Sequence, residues 1–362
     1  MNRLNIAITF DYELFLGENF FDSDTVLFEP TYKILNILKD MGCTATFFAD
    51  VCSVYQHEKY GLHQYSQGFS SQLKKVLESG CDVQLHIHPN WLCSEYERGK
   101  WHFDYDSYRI HYFDNKKNSE YTMESIIGYG IQYLENLLRS CNDDYRCIAY
   151  RAGGYAIQPH EKLFSILKEH GIYIDSSVVV NDCLKGPVSG YNFSNTPKQL
   201  NWWTTKKSLM EDRTTMDEKL LWEVPVMTVK NNLMERVFLP KNRRVFEYGH
   251  AKGQPMQVRQ GKAQQIWTKA RHLLHYNHTY RKLCLDEMNY HYMSAKLNKI
   301  YADYKNEKVY IALIGHPKAF TGEAFDNFSG LLEWLFGNQD KFNLVNMTDI
   351  YRDISNNLSE VE

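Results

Sequence analysis

No window of the 362 residues approaches the roughly 20 consecutive apolar residues of a membrane-spanning helix. No two of the eight cysteines stand in a Cys-x-x-Cys pair, which argues against a cysteine zinc site. Several of them, such as Cys43 and Cys81, border apolar runs and read as buried thiols in a reducing compartment. A secretory leader needs a basic start and about seven to fifteen apolar residues. Here Leu4 to Phe10 reads as a short strand running straight into Asp11, so the expectation is a protein without a leader, in the cytoplasm. There is little charge imbalance, with 41 Lys and Arg against 44 Asp and Glu, and nucleic acid is not expected as a partner.

What is present supports a large packed core: 43% hydrophobic and 23% charged residues, at a length that fits one catalytic domain with insertions or two small domains. The 26 Tyr and 19 Phe fit either a Tyr-rich core or an aromatic cleft for sugars.

A helix–glycine–strand pattern recurs. Tyr32, Leu35 and Leu38 form a helical stripe that ends at Gly42, and a strand follows over 43–49. Leu73, Val76 and Leu77 lead to Gly80 and a strand over 81–88. Leu163, Phe164 and Leu167 lead to Gly171 and a short strand over 172–174. A helix closed by a left-handed glycine and followed by an apolar strand is half of a βαβ unit, so the pattern predicts a parallel sheet covered by helices, as an α/β barrel or an open sheet. Further helices are expected over 122–140 and 323–336 and from 348, and further strands over 147–150, 309–314 and 342–345. Residues 89–120 read as a long loop. Residues 231–308 read as a basic helical insertion or cap within a single domain spanning 1–358, with helices near 266–274 and 285–304. Over 231–310 there are 15 Lys and Arg against six Asp and Glu.

The chemistry-bearing residues sit where apolar strands end. In extended chain, residues i and i+2 point the same way, so Asp11 and Glu13 face one site, as do His86 and His88 before Pro89. The carboxyl edge of a parallel sheet is where sites are built. Two carboxylates and two imidazoles there suit a divalent cation, most naturally Zn²⁺. Three more clusters end strands: Arg151-Ala152-Gly153-Gly154-Tyr155, where the glycines would admit a ligand to the backbone and Arg151 can hold a carboxylate; Asp175-Ser176-Ser177; and Gly315-His316, where the imidazole is placed as a general acid.

The ordered set Thr-Phe-Asp-x-Glu, His-x-His, Arg-x-Gly-Gly-Tyr, Asp-Ser-Ser and Leu-x-Gly-His resembles the polysaccharide deacetylase family, the NodB-homology or carbohydrate esterase family 4 group, over residues 9–316. The resemblance implies a distorted (β/α) barrel of about seven parallel strands and hydrolysis of an N-acetyl or related acyl group. It implies Asp11 as catalytic base, Arg151 as the arginine that orients it, His316 as the catalytic histidine and Asp175 as the acid supporting that histidine. Glu13 and His86 would be metal ligands, with Glu13 offset by one from the usual place. The usual second metal histidine lies four residues after the first, where this chain has Asn90, so His88 takes that role. The resemblance also implies an oxyanion held by the metal and a backbone N–H near Tyr155.

The expected substrate is an N-acylated sugar, nucleotide- or lipid-linked, from O-antigen, capsule or similar surface-glycan synthesis. The basic segment suits carrier phosphates, or peripheral contact with a membrane face, or is a solvated insertion with no partner. Trp91, Trp101, Trp202 and Trp203 are candidates for stacking on sugar rings, with Trp91 nearest a motif. Rival readings are a deformylase or other amide hydrolase on the same scaffold, and a sugar-binding protein without catalysis.

Overall fold

The computed structural model of the chain describes residues 2–16, 22–115, 120–186, 189–210, 219–231 and 280–359. The helix expected near 266–274 lies outside the described residues. The strands are β1 (Leu4–Tyr12), β2 (Thr46–Asp50), β3 (Asp82–Ile87), the hairpin β4–β5 (Glu95–Glu97 and Lys100–His102), β6 (Ala149–Ala152), β7 (Ile174–Asp175), the hairpin β8–β9 (Cys183–Lys185 and Gly190–Asn192), β10 (Trp202–Thr205), β11 (Lys219–Glu223), the ribbon β12–β13 (Thr228–Lys230 and Tyr280–Lys282), β14 (Tyr310–Gly315) and β15 (Phe342–Val345).

Nine of them form one sheet in the order β10-β11-β7-β6-β3-β2-β1-β14, with β15 also on β1. Every neighbouring pair is parallel except β10–β11. The two ends of this order meet through irregular chain. After β11, Val224 N–H donates to Asp175 and Val226 N–H to Val178, while Met227 N–H donates to Ala312 of β14. Single bridges join Val226 to both Val179 and Ala312. The result is a distorted (β/α) barrel.

The expected helix–glycine–strand units are present, with helices Glu29–Asp40, His63–Glu78 and Glu161–Glu169. Gly42, Gly80 and Gly171 all have φ between +62° and +86°, a region where a side chain is strained, and this is what turns each helix into its strand. Helix His63–Glu78 begins ten residues before the first residue of the stripe that predicted it, because its first turns are polar yet bury Tyr65, Ser66 and Phe69. The loop expected over 89–120 carries a short 3₁₀ turn, the β4–β5 hairpin and helix Tyr112–Asn115. Of the basic segment, β12 and β13 pair antiparallel, so the two flanks of 232–279 lie side by side, and the expected second helix is Tyr290–Tyr304.

Strand alternation sorts the core into two layers. On β1, Leu4, Ile6, Ile8, Phe10 and Tyr12 pack in the large core that also takes in the helices, whereas Ala7 belongs to a small inner core with Phe48, Ala149, Ala312 and Val345. The inner face is otherwise polar: Thr9 and Asp11 on β1, Thr46 and Asp50 on β2, Gln84 and His86 on β3, Arg151 on β6, all buried. Small residues and polar side chains fit a narrow lumen, whereas the long apolar side chains point out to the helices.

The lumen is stoppered at the end opposite the motifs by helix Met347–Ser359, whose Met347 and Ile350 join the inner core. Asp82, at the start of β3, fixes this helix. It accepts from Thr348 N–H (3.1 Å), Thr348 Oγ1 (3.0 Å) and Gln84 Nε2 (2.9 Å). Asp82→Ala would strip the buried Gln84 amide and the half-buried Thr348 donors of this acceptor. The expected loss of stability is about 2–4 kcal/mol, read as a lower urea midpoint at an unchanged m-value.

Candidate active site

Register lines the site up across the sheet. Asp50, His86 and Arg151 are lateral neighbours on β2, β3 and β6, one row above Asp11, Phe48 and Gln84 on β1, β2 and β3. Glu13 lies just past the end of β1, and His88 just past the end of β3. All these groups therefore converge at the carboxyl ends of the parallel strands.

Arg151 is fully buried. Its Nη1 donates to Asp11 Oδ1 (2.7 Å) and Thr9 Oγ1 (2.9 Å), its Nε to Ser176 O (2.9 Å) and its Nη2 to Ser176 Oγ (2.9 Å). The guanidinium lies 4.1 Å above the Phe48 ring. Burial opposes the Asp11 charge, yet Arg151, His86 and His316 together hold its carboxyl below the usual carboxylate range. Asp11 Oδ2 faces His316 Nε2 at 3.7 Å.

Glu13 Oε2 lies 3.2 Å from His86 Nε2 and also contacts His88 Nε2. Burial opposes its charge too, but His88 and Lys318 outweigh burial and hold it well below the usual range. Lys318 Nζ donates to Glu13 Oε1 at 2.8 Å. His88 is anchored by its N–H, which donates to Asp50 Oδ1 at 3.0 Å.

One contact tests whether a cation fits. His86 Nδ1 lies 2.8 Å from the carbonyl of Arg151, which can only accept, so Nδ1 carries the proton. A neutral His86 then presents the lone pair of Nε2 to a carboxylate oxygen. Two acceptors facing each other in a buried site require a proton or a cation between them. Glu13, His86 and His88 have one ligand atom each within 4.8 Å of one another, and one oxygen with two imidazole nitrogens is a donor set that suits Zn²⁺.

The remaining expected residues are placed less uniformly. Asp175 does not support His316. It accepts from Ser177 Oγ (2.7 Å) and Ser177 N–H (3.1 Å) and abuts the carboxyl of Glu223. Burial pushes Asp175 up to about 6 and Glu223 well above the carboxylate range, so the pair keeps a proton between them. β7 is only two residues long, and it ends with Asp175 tied to Ser177 and Glu223. The carboxylate beside His316 is Asp286. Its Oδ1 accepts from His316 N–H (3.1 Å) and lies 3.2 Å from His316 Nδ1. Residues 283–285 run along β14, with Leu285 N–H donating to Ile314 O, and this places Asp286 at the strand end. Cys284 Sγ donates to the same Asp286 oxygen.

Trp91 is fully buried, packed against His57, Trp101 and Phe103, so its faces meet protein rings and not a sugar. Trp202 is also fully buried, with Nε1 donating to Leu209 O (2.7 Å), and Trp203 packs on Trp222. The glycine pair serves packing more directly than ligand approach. A Cβ on Gly153 would stand 2.6 Å from His88 Nδ1 and from Ile87 O, so the absence of a side chain makes room for the histidine itself. Gly154 has φ +58°. Tyr155 also has positive φ (60°) and is buried, with Lys282 Nζ 3.2 Å from its hydroxyl and 4.5 Å above its ring.

Asp50, Glu223, Asp286 and Lys318 were not among the expected site residues. Two had a readable signal: Phe47-Phe48-Ala49-Asp50 and Leu283-Cys284-Leu285-Asp286 are apolar runs that end in an acid, as β1 does.

No protein-family model matches the chain, and no curated protein sequence matches it. Its fold is similar to that of solved structures at low identity. A probable polysaccharide deacetylase from Pseudomonas aeruginosa PAO1 is 12% identical, with 97% of this chain and 90% of that one covered and a TM-score of 0.48. Puue allantoinase is 12% identical, with 97% and 89% covered and a TM-score of 0.49. The Xyl-CE4 domain of a multidomain xylanase from the hindgut metagenome of Trinervitermes trinervoides is 10% identical, with 98% and 92% covered and a TM-score of 0.37. At such identities the likeness is one of fold alone.

The opposed acceptors generate a pH prediction. Burial lowers the His86 pKa, but Asp11 and Glu13 outweigh it and hold it at about 9. The pKa is therefore raised above its value in unfolded chain, and below pH 9 a cation must displace a proton. Affinity for Zn²⁺, measured by competition with a chromophoric chelator at pH 6.5, 7.5 and 8.5, should rise about tenfold per pH unit for each proton released. A flat profile would rule out His86 as a ligand. By the same linkage the imidazolium stabilises the metal-free fold fully below pH 6.5, and that contribution fades as pH rises through about 9.

Proposed function

We propose that this chain is a metal-dependent hydrolase that removes the N-acetyl group of an amino sugar. The observation that carries the proposal is the side-by-side placement of two constellations at one barrel end: a buried Glu13–His86–His88 set, and an Asp11–His316 pair whose members are each held by a second buried group, Arg151 or Asp286.

The amide to be cleaved is a poor electrophile with a poor leaving group. A divalent ion held by Glu13, His86 and His88 would polarise the carbonyl and make water more acidic. Asp11 is built as the base. Its Oδ1 is committed to Arg151, its Oδ2 faces the site, and its depressed pKa keeps it ionised at neutral pH, ready to take the proton of the attacking water. His316 is built as the acid. Asp286 beside Nδ1 orients the ring, so that Nε2 can hand its proton to the departing sugar nitrogen. The N–H of Tyr155, set by an unusual backbone conformation beside the site, is the candidate donor to the developing oxyanion.

We further read the enzyme as cytoplasmic, acting on a nucleotide- or lipid-linked precursor of a surface glycan. Eight cysteines without a disulfide fit a reducing compartment. The excess of 15 Lys and Arg over six Asp and Glu across 231–310 fits a carrier phosphate. Among the described residues, no helix is long and apolar enough to cross a membrane.

The test is to load the purified protein with Zn²⁺, supply nucleotide-linked and free N-acetylhexosamines, and assay acetate. Formate from N-formyl analogues in its place would favour the deformylase, and release of neither acid would favour a binding protein. His316→Ala should retain one metal per chain and lose about 10²–10⁴ in turnover. His86→Ala should lose both metal and turnover. Asp286→Asn should keep the metal and slow turnover. If His86→Ala binds Zn²⁺ and turns over normally, the assignment is wrong.

A further inference from the structure

Glu13 uses its two oxygens for different purposes. Oε2 faces the two imidazoles, whereas Oε1 accepts from Lys318 Nζ at 2.8 Å. The same ammonium donates to Leu14 O at 2.9 Å and lies 5.3 Å from the centre of the Phe15 ring. Its side chain is only 14% exposed. Lys318 sits in the one-turn 3₁₀ helix Pro317–Ala319, two residues after His316, so one short turn carries both the proposed acid and the partner of a proposed ligand. Nothing in the proton transfers described above requires this lysine.

We propose that Lys318 is a positioning residue that confines Glu13 to one-oxygen coordination, at a cost in metal affinity; this rests on the metal-centre reading above. Two physical effects combine. An oxygen that already accepts from an ammonium is a poorer donor to a cation, so Glu13 offers chiefly Oε2 and coordination positions stay open for water and substrate. The ammonium also draws charge from the carboxylate and stands close to the cation, which makes a bound ion more electrophilic but less tightly held. A neutral side chain of similar length at 318 would release Oε1 and remove the repulsion.

The decisive comparison uses Lys318→Met and Lys318→Arg with Zn²⁺ and Co²⁺. Lys318→Met should bind Zn²⁺ more tightly, by about tenfold. The visible bands of its Co²⁺ form should lose intensity as Oε1 joins the coordination. Its kcat should fall by about tenfold or more with KM little changed. Lys318→Arg, which keeps the charge and the donor, should restore the wild-type spectrum and affinity. A Lys318→Met protein with unchanged affinity and spectrum, or with weaker metal binding, overturns the proposal while leaving the metal centre standing. So does a Lys318→Arg protein that behaves like the Met variant. A wild-type protein that takes up neither ion overturns this inference and the metal-centre reading together.

Discussion

A guanidinium without access to water stands at the centre of this barrel, and most of the site is arranged around it. Arg151 bonds to Thr9 and Asp11 of β1 and to Ser176 just past β7, lies on the Phe48 ring of β2, and gives its own carbonyl to His86 of β3. An unpaired charge at this depth would cost several kcal/mol, and removing one partner of a buried pair typically costs about 3–5. The residues that satisfy Arg151 are therefore also the residues whose positions it dictates. Asp11 is ionised because Arg151 is there, and Arg151 is tolerable in the interior because Asp11 is ionised. His86 is aimed by the same residue through its backbone, so the proposed base and a proposed metal ligand share one anchor.

The acids of the lumen divide accordingly. Asp11 and Glu13 have cations beside them and stay charged, whereas Asp175 and Glu223 have mainly each other and keep a proton. Four buried carboxyls thus do not amount to four negative charges. Asp11 and Glu13, which meet the imidazoles, are the two whose charge their neighbours favour. With Lys318 on one oxygen of Glu13 and Arg151 on one oxygen of Asp11, each of these carboxylates has one oxygen spent on structure and one turned to the site.

Much of this was legible in the sequence, for physical reasons that also explain what was not. The βαβ rhythm could be read because each of three helices ends on a glycine that must be left-handed, and each following strand is apolar. The convergence of Asp11, Glu13, His86 and His88 could be read because strand alternation is local. The partner of His316 could not. The resemblance placed Asp175 there, but which carboxylate meets a strand end from across a barrel depends on chain paths that no local pattern encodes. Asp286 reaches it only because residues 283–285 run along β14. Burial of Trp91 was hidden for a similar reason: a tryptophan after a strand end looks available until the loop folds Trp101 and Phe103 over it and packs it on His57 of helix Val51–Lys59.

The spacing of the proposed ligands follows from how far the strands run. β1 stays extended through Tyr12, and alternation turns Tyr12 outward, where its ring packs at a tilt against Phe69 and its hydroxyl donates to Gln72 (2.7 Å). The residue directly after Asp11 is therefore unable to face the lumen, and the first position that can is 13, past the last paired residue. The longer glutamate side chain suits that more distant backbone. The same logic holds on β3. His86 is the last inward residue of the strand and His88 the next position on that side, held there by Asp50 and given room by Gly153. Asn90 falls inside the 3₁₀ turn that begins at Pro89 and is buried. Asp-x-Glu and His-x-His thus share one geometry: each chain keeps its period of two as far as the second inward residue, and the spacing of the proposed ligands follows the backbone.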